Sequence, residues 1–493
     1  MRQDRPGQSS EASPGKTAAG PGAIPGEDGA AQDPRSGLPV PSGPPLAPRR
    51  AYAWRCLGLE PAWRLSAWGL RSLVGRLALA LAAPFSPAAA RRQRHQVWTS
   101  RRVEALVTLL GGLKGAFVKA GQFAAHRHDL LPAGASQPLT QLRDRVPPLG
   151  LEELRPVIEN ELGSPLEQLF PVFDPQPLGA ASVAQVHRAR LPSGQEVAVK
   201  VQYPWLGSAL AADLRWVRAL LWLAGRWRRE KRVDTSRLAA EFERGLREEL
   251  DFRREAAAAA EIAANLAHDP QIVVPEVVAS HSSRRVLTTS FHAAARIGDR
   301  EALAPLGVKP RDVLAVVARA YAKQVFVDGL FHADPHPGNL FVLVEDGAGE
   351  LPKVLFVDFG LSRRLSPELR QELRRGAYAL IQRDADSFLA GMQRMGMIAN
   401  GAEAGVREAV DAMLARLQGE GGALGLSGGR VLALKDEAVA LLRETPGLQL
   451  PDDLLLFAKT LATVFSLGEE LDPELDLMQL SLPYLLQFLA AKD

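Results

Sequence analysis

The chain has 493 residues, a hydrophobic fraction of 46%, a charged fraction of 23% and a formal net charge of +3. That length leaves room for about three domains and a large core that needs no disulfide staple. Cys56 is the sole cysteine, which excludes an intramolecular disulfide and suits a reducing compartment, while so small a net charge gives no reason to expect nucleic acid as a partner.

Residues 1–50 are rich in Gly, Pro, Ser and Ala. Such a segment buries too little apolar surface to offset ordering, so it is expected to be disordered. It does not read as a secretory signal, and Asp4, Glu11, Glu27, Asp28 and Asp33 argue against a mitochondrial presequence. Residues 51–146 are expected to be helical, because Val103, Leu106, Val107, Leu110 and Leu113 recur at helical spacing. The apolar runs Leu77–Phe85 and Leu477–Ala491 fall short of the roughly 20 residues that a spanning helix needs. Both read as core or interface helices.

After Pro147-Pro148, Leu151–Leu162 reads as an amphipathic helix stopped by Gly163. From Leu178 short apolar runs alternate. Val183–Ala189 and Glu196–Val201 flank the turn Pro192-Ser193-Gly194, a hairpin signal. Helices are expected from Ala209 to about Arg229 and from Ser236 to Leu266, then strands at Ile272–Val274 and Val286–Thr289. The rest is mainly helical, interrupted by Phe331–Asp358. A helical preface, a small β-rich lobe and a larger helical lobe with its polar residues at the head suggest a cleft between two lobes.

Three elements carry the chemistry. Asp334 and Asn339 stand five apart in Phe331-His332-Ala333-Asp334-Pro335-His336-Pro337-Gly338-Asn339, the spacing of a kinase catalytic loop, where the acid orients the nucleophile and the amide holds magnesium. The apolar run Val354–Val357 leads into Asp358-Phe359-Gly360, and Asp358 would bind the Mg²⁺ that bridges the β- and γ-phosphates. Upstream, Val197-Ala198-Val199-Lys200 matches a strand lysine that contacts the α/β-phosphates. The loop Gly179-Ala180-Ala181-Ser182-Val183-Ala184 stands where a glycine-rich phosphate loop belongs, with alanines replacing two glycines. Lys200 should pair with a carboxylate within Glu248–Glu255. The alternative, a zinc site of His332, Asp334 and His336, meets Pro335 and Pro337, which forbid a regular helix interior.

A further signal is Arg215–Arg232, where Trp216, Trp222 and Trp227 alternate with arginines. Such a helix either lies on an anionic membrane surface or packs its Trp into the core with solvated Arg; packing is the favoured reading. The run Arg91-Arg92-Gln93-Arg94-His95 could serve a membrane too.

Together with these elements, Lys119-Ala120-Gly121-Gln122, Val199-Lys200-Val201-Gln202-Tyr203-Pro204 and Glu249-Leu250-Asp251 appear in an order that resembles the UbiB/AarF family of atypical kinases, over roughly residues 100–365. The resemblance implies an α+β, two-lobed protein-kinase-like fold with an N-terminal helical extension bearing the KxGQ signature. The expected segments are a tail at 1–50, the extension at 51–148, a small lobe with inserted helices at 149–292 and a helical large lobe at 293–493. It implies ATP and Mg²⁺ as cofactors, with Lys200 paired to Glu255, Lys119 near Glu249 with Gln122 beside it, Asp334 as catalytic-loop acid, and Asn339 and Asp358 as metal ligands. Expected partners are a nucleotide, a lipid or quinone precursor and an anionic membrane surface, in or beside the cytoplasm. Ser290-Phe291-His292-Ala293 at the expected hinge lacks the acidic character that the family would place there.

Overall fold

The computed structural model describes residues 50–85, 87–126, 148–227, 235–343, 351–419, 445, 447–448 and 450–491. Of the tail expected at 1–50, residues 1–49 lie outside them, as do Arg228, Arg229 and Arg232, while Arg50 opens the first helix.

The extension comprises α1 (Arg50–Cys56), α2 (Leu59–Ala82), α3 (Ala88–Leu113) and α4 (Gly115–His126). The apolar stretch noted at Leu77–Phe85 is the end of α2, whose 24 residues make it long and apolar enough to cross a membrane by length and composition. Arg64, Arg71 and Arg76 break up its uncharged runs, which hid its extent. Pro61 and Leu65 are its buried residues. It is not a core helix: Trp63, Leu70, Leu73, Val74, Leu77 and Leu81 are exposed.

The small lobe contains α5 (Leu151–Leu162), β1 (Val172–Ala180), β2 (Ala184–Arg190), β3 (Glu196–Gln202), α6 (Leu206–Trp227), α7 (Thr235–Glu249), α8 (Phe252–Leu266), β4 (Ile272–Val273) and β5 (Val286–Ser290). Its antiparallel sheet runs β1-β2-β3-β5. The β2–β3 hairpin pairs Val186 with Lys200, and Lys200 lies opposite Leu287. Sequence reading missed β1, whose Pro175 and Pro177 mask the strand pattern. Proline is tolerated here because β1 is an edge strand with register shifts around Pro177. The helix expected over Ser236–Leu266 is two helices. Asp251, in an extended conformation, accepts the N–H of Arg253 and caps α8, as Asp does at a helix start. One core joins extension and sheet, with Leu113, Phe117 and Val118 packed in the same cluster as Val197, Val199 and Tyr203.

The large lobe holds β6 (Ala294–Arg296), α9 (Pro310–Ala322), β7 (Leu330–His332), β8 (Leu340–Leu343), β9 (Val354–Phe356), β10 (Ser362–Arg364), α10 (Pro367–Gln382), α11 (Ala385–Arg394), α12 (Glu403–Gly419), α13 (Asp452–Leu471) and α14 (Leu477–Ala490). A second sheet runs β4-β9-β8-β6, and β7 pairs with β10. Strand β4 therefore crosses from the small-lobe segment to pair in parallel with β9. The helix α14 packs on α9 and buries Leu477 and Phe488.

The tryptophan-bearing α6 divides its faces. Trp216 is half-buried and donates its indole N–H to the Gly58 carbonyl at 3.1 Å, whereas Trp222 is exposed. The Trp227 side chain is outside the described residues.

Candidate active site

Strand alternation turns Lys200 away from the buried Val199 and Val201 and into the cleft. Its Nζ donates to both oxygens of Glu255, at 2.7 and 2.9 Å, and to Asp358 Oδ1 at 2.7 Å. Burial alone would lower the lysine pKa, but Asp358 and Glu255 outweigh it and raise it. Burial raises the Glu255 carboxyl against the pull of Lys200. Desolvation in the cleft acts against the Asp358 carboxylate too, but Lys200 prevails and holds it well below the usual carboxylate range. A lysine between two carboxylates is thereby fully charged.

The break at Leu250-Asp251 lets two acids of one segment serve different lysines. Glu255, in the first turn of α8, faces Lys200. Glu249, at the end of α7, forms an ion pair with Lys119 of α4. Both of these groups line the cleft, together with Gln122.

Between α3 and α4 the chain turns at Lys114 and Gly115, both at positive φ (54° and 53°). This turn touches the alanine-rich loop, because Gly115 N–H donates to the Ser182 carbonyl at 2.8 Å. The loop is a closed hairpin turn: Ala181 N–H donates to the Ala184 carbonyl at 2.8 Å, and the Tyr203 hydroxyl donates to the Ala181 carbonyl at 2.9 Å. Of the six residues expected to form the nucleotide loop, Ala180, Ala181 and Ser182 line the cleft. Gly179 sits in the ladder opposite Val186, and Val183 and Ala184 are buried in the core.

On the opposite wall, His332 is a structural link and not a metal ligand. Its Nδ1 meets the Tyr321 hydroxyl at 3.0 Å and its Nε2 meets the carbonyl oxygens of Val357 and Asp358 at 3.1 and 2.9 Å. Its backbone N–H donates to Gln324, which is carried on the π-helical turn Lys323–Asp328. Asn339 Nδ2 donates to the Asp334 carbonyl and Oδ2 at 3.1 and 3.2 Å, so the five-residue spacing folds back on itself. Asp358 sits at φ 62°, in the left-handed region that few non-glycine residues adopt, and Phe359 beside it packs edge-on against His332 at 5.3 Å.

These walls enclose about 620 Å³, the size of a small-molecule site. Sequence reading passed over several of its lining residues, among them Arg296 at the end of β6 and Gly298 and Asp299 just after it. Lys459 was also missed. It lies on α13 and donates to Asp334 Oδ1 at 3.3 Å. Its helix shows the apolar periodicity of a core element, and nothing in the local sequence ties it to the cleft. At the expected hinge, Phe291 N–H donates to the Glu196 carbonyl at 3.0 Å and its ring lies under the Arg188 guanidinium at 4.7 Å.

The site fits a magnesium nucleotide on its own chemistry. Lys200 offers a fixed cation, while Asp358, held ionised, and Asn339 offer the hard oxygen ligands that Mg²⁺ takes one or two at a time from a protein, the rest coming from phosphate and water. Asn339 and Asp358 are the residues that would hold the ion.

Residues 141–391 match the ABC1 atypical kinase-like domain, which is about half of the chain. The chain belongs to this family. It is 34% identical over 390 residues to the "Probable protein kinase UbiB" of Marinobacter nauticus, covering 78% of this chain and 69% of that protein. It is 32% identical over 420 residues to the protein of the same name in Xanthomonas oryzae pv. oryzae, covering 83% and 73%. Among solved structures it resembles Rv3197 of Mycobacterium tuberculosis in its complex with erythromycin, at 25% identity and a TM-score of 0.47, covering 78% of this chain and 98% of that one. The fold is the two-lobed, kinase-like α+β architecture that the sequence led us to expect, and the family makes the chain a phosphotransferase-type protein at the coarse level.

Proposed function

We propose that this chain binds MgATP in the cleft and acts on its terminal phosphate as an atypical kinase or ATPase, in support of isoprenoid-quinone biosynthesis or lipid homeostasis. The observation that carries the reading is Lys200, 2.7 Å from both Glu255 and Asp358, with that same Asp358 lining one cavity together with Asp334 and Asn339. Bound between Asn339 and Asp358, Mg²⁺ would neutralise charge on the β- and γ-phosphates. Lys200 would clamp the α/β-phosphates, with Glu255 fixing its direction. Asp334 would orient the attacking oxygen and take its proton. The pair Lys119–Glu249 occupies the same cavity, where a protein hydroxyl would have to approach, so water or a small, lipid-linked acceptor suits the site better than a protein substrate. The quinone assignment rests on the family resemblance and on the names of the relatives.

We place the protein in the cytoplasm, peripheral to a membrane. Support comes from α2 and α3, where exposed Leu70, Leu73, Val74, Leu77 and Leu81 run beside Arg71, Arg76, Arg91, Arg92 and Arg94, the composition of an interfacial surface.

Mg²⁺-dependent ADP release, measured with and without protein and lipid acceptors, tests the reaction. ADP release that needs no protein acceptor supports it, and strong transfer to added proteins replaces it with an ordinary protein kinase. Deleting the gene and comparing quinones and lipids tests the role. Full rescue by Asp358→Asn would turn the protein into a nucleotide-gated scaffold.

A further inference from the structure

The catalytic-loop acid has a second partner from a distant part of the chain. Asp334 Oδ2 accepts from Asn339 at 3.2 Å, and Oδ1 accepts from Lys459 Nζ at 3.3 Å. Lys459 lies beyond residues 141–391 that match the family domain. Both side chains of the pair are mostly buried, at 19% and 15% exposed.

The helix that presents Lys459 is pinned in register. Phe457 packs edge-on against Phe331 of β7 at 6.5 Å. Leu456, Phe457 and Leu461 pack on the cluster of Val325, Phe331, Ala333 and Leu365, and Thr460 is fully buried. These contacts fix the rotation of α13 about its axis. Position 459, three residues after Leu456, lies on a face adjacent to the packed one, at the edge of the cleft. The aromatic contact and the ion pair thus grip the same short segment, Phe331–Asp334, from one helix. A carboxylate held at both oxygens from two elements keeps one orientation, whereas one held on a single side can swing about its Cβ–Cγ bond. Orientation at an attacking atom is worth much in rate, because a misplacement of about 1 Å can cost roughly 100-fold.

We infer that Lys459 is a positioning residue for the phosphotransfer reaction: its ammonium, together with the Asn339 amide, sets the orientation of the Asp334 carboxylate, so that α13 completes the site. The inference rests on the reading of the cleft as a MgATP site. It assigns Lys459 to turnover and not to nucleotide affinity, since Lys200, Asn339 and Asp358 are left intact when it is changed.

The test uses the full chain with Lys459→Met and Lys459→Arg. MgATP affinity is read by calorimetry, kcat and KM by ADP release, and folding by thermal unfolding. Lys459→Met should lower kcat about tenfold or more, with KM and MgATP affinity within about twofold of the unmutated chain. Lys459→Arg should regain most of the loss, because it restores a cation to Oδ1. If Lys459→Met fails to fold, Lys459→Gln takes its place with the same expectations. A wild-type kcat in the neutral variant overturns the inference. So does a loss of kcat that is matched in KM and stability and not recovered by Arg, which would make Lys459 a packing residue. MgATP binding without any ADP release from the unmutated chain would remove the enzymatic reading and this inference with it. Turnover insensitive to Lys459 removes this inference alone.

Discussion

The backbone N–H of Gly115 donates to the Ser182 carbonyl at 2.8 Å, tying the first residue of the helix that carries Lys119 to the loop that roofs the cleft. The contact depends on a left-handed turn, with Gly115 at φ 53° and a Cβ placed there only 2.6 Å from Leu206 Cδ2. Gly115→Ala should therefore cost on the order of 1–3 kcal/mol through strain and overpacking. We expect a lower unfolding temperature together with weaker nucleotide binding, because the loop loses its anchor. A variant as stable as the unmutated protein would show that the turn can relax without the contact.

The pairing of acids with lysines gives a second prediction. Lys200→Ala should weaken nucleotide binding by roughly tenfold or more, since a charged hydrogen bond to the phosphates contributes about 1.5–3 kcal/mol. Glu255→Gln should reproduce part of that loss and Glu249→Gln should not, because Glu249 faces Lys119. The reverse order in a binding titration would assign the acids the other way round.

Asp358→Asn should remove the Mg²⁺-dependent part of nucleotide affinity while the chain stays folded. A neutral amide is a poorer ligand for a hard cation, and the substitution also deprives Lys200 of one of its two anions. Calorimetry with and without Mg²⁺ checks it, and an undiminished response to Mg²⁺ would exclude Asp358 as a ligand.

A pH effect arises away from the cleft, at Lys114. This residue is fully buried, with its Nζ over the Tyr203 ring at 4.1 Å. Burial and then the neighbouring Arg55 push its pKa down from 10.5 to about 7. Between those values the unfolded chain carries a proton on this group that the folded chain lacks, so stability rises with pH. The slope should approach about 1 kcal/mol per pH unit from pH 7.5 to 9.5. Asp213, raised by burial to about 6, titrates below that window. Lys114→Met should flatten the rise, as urea unfolding at several pH values would reveal. An unchanged slope would mean that Lys114 stays charged against Tyr203.

Anionic vesicles should recruit the chain at low salt and raise ADP release if α2 and α3 meet a bilayer. Each Lys or Arg near such a surface contributes about 1 kcal/mol, so Arg71, Arg76, Arg91 and Arg92 changed together to Gln should abolish co-sedimentation. Retention of the quadruple variant on vesicles would move the contact to another surface, such as the exposed Trp222 of α6.

Local sequence determined much of this protein. The Asp334–Asn339 spacing, the Asp-Phe-Gly after a β-run and the lysine on an apolar strand are short-range patterns, and short-range backbone geometry fixes what they do. The hairpin β2–β3 and the periodic helices were legible for the same reason. The resemblance to a family, and not the spacing, singled out Glu255 among the acids of residues 248–255. The tertiary structure decided the rest. It placed β1 at an edge where Pro175 and Pro177 are tolerated, and it split the helix at Asp251 so that Glu249 and Glu255 face different lysines. It also showed that Ala181 N–H is spent on Ala184 within the loop, and it brought Lys459 from the far end of the chain to Asp334. A hydrogen bond between residues 125 apart in sequence leaves no periodic trace in either segment. Only the packing of α13 against Phe331 sets where that lysine falls.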